Sequence, residues 1–350
     1  MKRKVAAVVT FALVVLWTAS SGIAAQVQKL RIEDVTEKAK KEGTVRFGFS
    51  AGDKDMKPMM QAFQKKYPFV KLEYNRFRGI EEAEKVLNEL LGGVVNIDLF
   101  DLKPELWLRF KRANLVAGPF DWNALGVKHP KVVIYEGHGV ALGGMQFGVA
   151  YNPSLVPPAK IPRKWEDCLD PQWKGKKMAV DTRPASFLPL FHYWGEEKSV
   201  GYHKRLAAQE PVWKRGQSDV MQNVAAGELA LLCGAYYGST MRLKRDDPTA
   251  KIDFAFLDVV PARGAFDFAS IPKASPNQNA ALLLASFLAT EGQSLYEKQL
   301  FFPNPYLLGP EIKEKVGNRP VHSVIPYVDI DYDAATKKIV AAWGFPTSGK

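Results

Sequence analysis

The sequence is poor in the residues from which catalytic and metal centres are most often built. In 350 residues there are two cysteines, Cys168 and Cys233, and five histidines. Two widely spaced thiols make neither a disulfide framework nor a zinc site; a single bridge in an oxidising compartment stays open, and the preferred reading is two unpaired, buried small hydrophobes. None of the histidines (129, 138, 192, 203 and 322) pair at zinc-ligand spacing. No Gly-x-Ser-x-Gly elbow raises a serine nucleophile. No Gly-x-Gly-x-x-Gly or phosphate-binding lysine loop follows a strand. Beyond the first residues no apolar run is long enough to span a bilayer, and no Lys/Arg block is long enough to suggest nucleic acid. These absences weigh against an exported hydrolase, the alternative of a different class, and the chain reads as not an enzyme.

What is present begins with an export pattern. Lys2, Arg3 and Lys4 precede an apolar stretch from Val5 to Trp17, interrupted only by Thr10. Small residues in "TASSGIAAQ" follow, with expected cleavage after Ala25. The reading is a leader over residues 1–25 and a mature periplasmic protein. The formal charge of +11 falls to +8 without the three basic leader residues. That weakly favours anionic partners.

From Arg31 onward, strand and helix patterns alternate. "TVRFGFS" and "FVKLEYN" alternate apolar and polar residues as strands do. "DMKPMMQAFQKKYP" carries Met56, Met59, Met60 and Phe63 at helical spacing, which reads as helix core. "PELWLRFKRANLV" is a helix opened by Pro104, and Ser218 is a candidate N-cap. A second α/β series includes "KMAVD", "LALLCGA" and "KIDFAFLDVVP" as strands. Alternation of this kind specifies sheets flanked by helices, with ligands outside the carboxyl ends of the strands and at helix N-termini. That rule selects Ser50–Asp53, Asn75–Gly79 with Arg78, and Asp101. In the second series it selects Asp181–Ser186, with Thr182, Arg183 and Ser186, and the stretch "YYGST", with Tyr236, Tyr237 and Ser239. The tail holds an acidic run, Asp329, Asp331 and Asp333, read as an exposed turn, and a helix-like stretch near Ala334–Trp343.

Several of these segments resemble the extracellular solute-binding proteins of ABC importers. "YNPSLVPPAKIPRKWEDCLDPQWKGK" resembles their tyrosine–asparagine strand end and following tryptophan-rich stretch, with Cys168 where leucine is usual. "NAALLLASFLATEGQSLYEK" resembles their late helix. "AAGELALLCGAYYGSTMRL" resembles the ferric-iron-type branch. The resemblance implies a type 2 periplasmic-binding-protein fold: two lobes, each a doubly wound sheet with helices, and a ligand cleft between them. The expected division is lobe 1 over 26–148, lobe 2 over 149–256, and a return to lobe 1 over 257–350 whose C-terminal helices pack across it. One crossing is expected near Gln146–Asn152 and a return near Asp253–Ala265. The implied role is a monomeric binding subunit that closes on a solute and presents it to a membrane permease, with no nucleic acid partner and no obligatory cofactor; a subunit that presents solute to a sensor is a further alternative.

Two solutes remain open at this point. The resemblance implies ferric iron on the phenolates of Tyr236 and Tyr237, bare or with a synergistic anion. The first lobe lacks the histidine or glutamate that often completes such a site, leaving Asp53 and Asp101 as substitutes. The other reading is a small organic anion or phosphonate without metal. It would be held by Thr182, Arg183 and Arg78, by the hydroxyls of Ser50, Ser186 and Ser239, and by the tyrosines as hydrogen-bond donors.

Overall fold

The structure is a computed structural model and describes residues 30–77 and 79–345. The leader with its cleavage position at Ala25, and Arg78, lie outside the described residues. The strands are β1 (Thr44–Phe49), β2 (Lys71–Arg76), β3 (Leu99–Asp101), β4 (Val133–Ile134), β5 (Gly139–Leu142), β6 (Met145–Tyr151), β7 (Met178–Asp181), β8 (Val212–Lys214), β9 (Leu231–Tyr236), β10 (Asp253–Ala255), β11 (Val260–Arg263), β12 (Asp267–Ser270) and β13 (Val321–Val324). The helices are α1 (Ile32–Glu42), α2 (Asp53–Lys66), α3 (Ile80–Leu91), α4 (Trp107–Arg112), α5 (Leu188–Trp194), α6 (Glu196–Ala207), α7 (Gln217–Ala226), α8 (Tyr237–Asp246), α9 (Gln278–Ala289), α10 (Gln293–Leu295), α11 (Pro310–Val316) and α12 (Tyr332–Ala342).

The strands form two sheets, in the orders β2-β1-β3-β12-β5-β4 and β13-β11-β6-β9-β7-β8, with β10 also paired to β6. In the first, β1 runs parallel to β2 and β3, and β12 runs antiparallel to β3 and β5. In the second, β7 runs parallel to β8 and β9, whereas β6 runs antiparallel to β9 and β11. Both faces of each sheet are covered. Along β9, Leu231 and Cys233 enter one core, and Leu232 and Ala235 enter the core on the opposite face. Strands covered on both faces read as unbroken apolar runs, and "LLC" in β9 is one. Cys168 and Cys233 are both unbridged and buried in the same core.

The "NAALLLASFLA" segment becomes α9, buried from Ala280 to Ala289 in the first lobe. Such a helix still needs its first N–H groups satisfied. Glu42 at the end of α1 does this, accepting from the backbone N–H of Ala280 at 2.7 Å and of Asn279 at 3.2 Å.

Three expectations are corrected. The first crossing between sheets falls at Gly143–Gly144, because residues 145–151 already belong to β6. A Cβ on Gly143 would meet the Tyr296 ring at 2.7 Å, and its φ is +61°, so the tight crossing requires glycine twice over. The C-terminal part does not pack as a unit across the first lobe. α9 does, but β13 joins the second sheet, and α12 buries Ala335 and Ile339 in the second lobe's core. The apolar face of α12 finds its partners there, and the Trp343 indole N–H donates to Nδ1 of buried His203 at 3.0 Å. Finally, α7 starts after Gly216, with Ser218 already inside the helix. The return crossing lies between Arg263 and Asp267. In the acidic run, Asp331 caps α12 by accepting from the N–H of Ala334 at 3.0 Å.

One buried charge pair ties β1 to the loop before β3. Asp98 is fully buried and accepts from the Arg46 guanidinium at 2.9 Å and from Ser275 Oγ at 2.8 Å. Burial alone raises the pKa of this carboxyl. The hydrogen bonds from Arg46, Ser275 and Asn277 outweigh it and hold the group below its usual range. Its stabilising contribution is therefore present above the ordinary carboxylate pKa and is lost as pH falls through the lower folded value. Asp98→Asn is expected to cost about 3 kcal/mol at pH 7, since Arg46 loses its counter-charge. In urea unfolding the wild-type and variant midpoints should converge below about pH 4. A gap that stays constant with pH would contradict this account.

Candidate functional site

The first residues of β6, the carboxyl ends of β9, β11 and β13, and the start of α5 meet around a cavity of about 40 Å³. Tyr236 enters it from the last position of β9, against the Phe147 ring at 5.1 Å. Its backbone N–H donates to Oε1 of Gln217 at 2.9 Å, which holds the strand end in place. Burial pushes its phenol up to about 12; nearby Asp181 adds to this, while Arg183 and Arg263 oppose it. The phenol is thus a neutral donor at neutral pH unless a cation displaces its proton.

Arg263 lines the same cavity from the last position of β11, with Met145 and Tyr332 beside it. Its guanidinium lies over the Phe268 ring at 5.5 Å, and its Nε is buried without a hydrogen-bond partner. The residue as a whole is half-buried, and among the described residues it has no ion-pair partner. The Tyr332 phenol is raised by burial and relieved by Arg263 and Arg183.

The sequence-predicted residues scatter. Among the described ones, Tyr236 lines this cavity. Tyr237 does not. Tyr236 keeps extended backbone (φ −87°, ψ 120°), whereas Tyr237 is the first residue of α8. The change of backbone at the junction sends the second phenol away from the first. It packs between Phe254 and Phe256, with ring centroids at 5.3 and 5.2 Å. In this structure the two phenols face different cavities. Arg183 is half exposed and folds back on Asp181, with Nη2 to Oδ2 at 3.1 Å. The Thr182 backbone N–H is spent on Lys214 at 2.9 Å. Ser186 is buried under Gly234, where its Oγ sits 2.6 Å from the place a Cβ would take. Ser239 is half buried and accepts from Arg242 at 3.4 Å. Asp53 is exposed at the start of α2.

Ser50 belongs to a separate polar cluster at the carboxyl ends of β1 and β3. Its Oγ donates to Asp101 at 3.0 Å, and its N–H donates to Asp267 at 2.9 Å. Lys103 also donates to Asp101. Asp101 and Asp267 are both fully buried. This arrangement satisfies Asp101 internally and leaves it unavailable as a free metal ligand.

Arg263 and Tyr332 escape the sequence reading. The strand-end rule would have found Arg263 had the strand in "LDVVPARG" been extended past Pro261. Tyr332 had no comparable signal, since it reaches the cavity from the C-terminal helix.

Asp267 gives a pH signature. Burial first, and Asp101 second, push its carboxyl up to about 7. Between pH ~4 and ~7 the unfolded chain releases a proton that the folded state keeps. Stability should fall as pH rises across that window and level off above it. Asp267→Asn should flatten that slope, read as urea midpoints from pH 4.5 to 7.5. An unchanged slope would show that the group titrates normally.

The profile of the family described as bacterial extracellular solute-binding protein matches residues 50–294. A search of curated proteins finds no match. Among solved structures, iron-bound HitA from Pseudomonas aeruginosa aligns with TM-score 0.65 at 17% identity, over 86% of this chain and 99% of its own. Apo ferric ion-binding protein A from Pasteurella haemolytica aligns with TM-score 0.66 at 17% identity, over 88% and 100%. The Atu4243–GABA receptor aligns with TM-score 0.62 at 14% identity, over 88% and 99%. At these identities the likeness speaks for the fold: two sheets with flanking helices, as in two-lobed binding proteins. With the family profile spanning most of the chain over that same architecture, the protein belongs to the bacterial extracellular solute-binding proteins.

Proposed function

We propose that this chain is the capture subunit of an ABC importer and that its cargo is a small anionic solute. The observation that carries the reading is Arg263: a cavity-lining guanidinium whose buried Nε has no partner. Tyr236 and Tyr332 flank it with phenols that burial keeps protonated, so both can donate hydrogen bonds. Arg263 also ends β11, one residue before the chain crosses to the first sheet. A solute bound there touches the connection about which the lobes would move, so binding and closure share one residue. Opposite the crossing, Arg245 of α8 already reaches Asp55 of α2 at 3.4 Å. This contact links the lobes and supports a closed arrangement. The permease would recognise that closed form.

Ferric iron is the second reading, favoured by the relatives whose names carry it. Tyr236 offers one phenolate, and an anion on Arg263 would share the ion's charge. Tyr237 would have to leave its aromatic pocket to supply a second oxygen. The two readings differ in a visible spectrum. Iron with tyrosinate gives a charge-transfer band that Tyr236→Phe removes.

The anion reading is tested by thermal unfolding of the mature chain with phosphate, a phosphonate and short carboxylates. At least one should raise the melting temperature in proportion to ln(1 + [L]/Kd). Arg263→Gln should weaken that ligand by roughly 30-fold, the equivalent of about 2 kcal/mol for a charged hydrogen-bonded contact. Equal binding by Arg263→Gln, or a response confined to ferric salts, would overturn it.

A further inference from the structure

Tyr237 lines a second cavity, of about 390 Å³, on the other side of the β9–α8 junction from Tyr236. Its wall is aromatic. Tyr237, Phe254 and Phe256 form a closed triad, the Phe254 and Phe256 centroids lying 5.0 Å apart. β6 leaves room for it: a Cβ on Gly148 would meet the Ala255 carbonyl, and the Phe254 ring at 2.7 Å. The rim is basic, with Arg163, Lys315 and Arg319. Lys315 is paired with Glu311 at 2.8 Å. The one acid at the rim, Asp253, is paired with Lys244 at 3.0 Å. Arg319 spends one nitrogen on the Val316 carbonyl at 2.8 Å. Among the described residues, neither Arg163 nor Arg319 has an ion-pair partner.

We infer that this cavity is a second solute site, for an aromatic carboxylate whose ring lies on the Tyr237–Phe254–Phe256 wall and whose carboxylate meets Arg319 and Arg163. The volume falls within the range of small-molecule sites, and an apolar wall with a few charged groups at one end is their usual composition. Arginine binds carboxylate through paired N–H donors, and a stacked ring gains further from aromatic packing. The site rests on the reading in which Tyr237 stays in its aromatic pocket. It shares with the cleft only the peptide between Tyr236 and Tyr237.

The test is calorimetric titration of the mature chain with benzoate, with acetate as a charge without a ring and benzyl alcohol as a ring without a charge. Benzoate should saturate, and acetate and benzyl alcohol should each bind at least about tenfold more weakly. Arg319→Gln and Arg163→Gln, both rim substitutions that leave the core intact, should each weaken benzoate about tenfold, with circular dichroism confirming the fold. Arg263→Gln, in the cleft, should leave benzoate binding unchanged. The inference fails if benzoate does not bind, if benzyl alcohol binds equally well, or if Arg263→Gln abolishes binding while the two rim variants retain it.

Discussion

The guanidinium of Arg263 is the constraint around which the cleft is arranged. It closes the strand that carries the chain out of the second sheet, and β11 pairs there with β6 and β13. Its backbone is fixed by pairing with β6 and β13, and its side chain is held over Phe268 of the first sheet. A charge in that position costs free energy unless something compensates it. The surrounding phenols compensate only in part, because neutral hydroxyls do not replace a counter-ion.

The second organising feature is the junction between β9 and α8. A strand buried on both faces must end where its polar backbone can find partners, and Gln217 supplies two of them, to Gly234 and to Tyr236. The helix then starts at once. Two consecutive tyrosines at such a junction serve two environments, one a small cavity at the ends of second-sheet strands and the other an aromatic pocket. Adjacent phenols in sequence look like one chelating pair. The backbone change between them makes them two independent groups.

The polar cluster around Asp101 shows a different use of buried charge. Ser50, Lys103 and the Phe268 N–H all bond to it, and burial, with Asp101 second, pushes the neighbouring Asp267 carboxyl up to about 7. The cluster joins β1, β3 and β12, three adjacent strands of the first sheet. Its hydrogen bonds are satisfied internally, so it shapes the first-lobe wall rather than offering ligands.

The architecture was legible because it rests on local periodicity. Strand and helix alternation, the apolar run at Leu231–Cys233 and the wholly apolar α9 each follow from burial that a short window of sequence records. The rule that ligands gather at carboxyl ends of strands led to Tyr236. Tertiary structure alone decided the rest. It turned Tyr237 away, folded Arg183 onto Asp181, and brought Arg263 and Tyr332 to one cavity from segments nearly 70 residues apart. It also placed α12 on the second lobe. Contacts of that kind depend on which faces remain uncovered once the sheets have formed, and the pattern of a single segment carries no record of its distant partner.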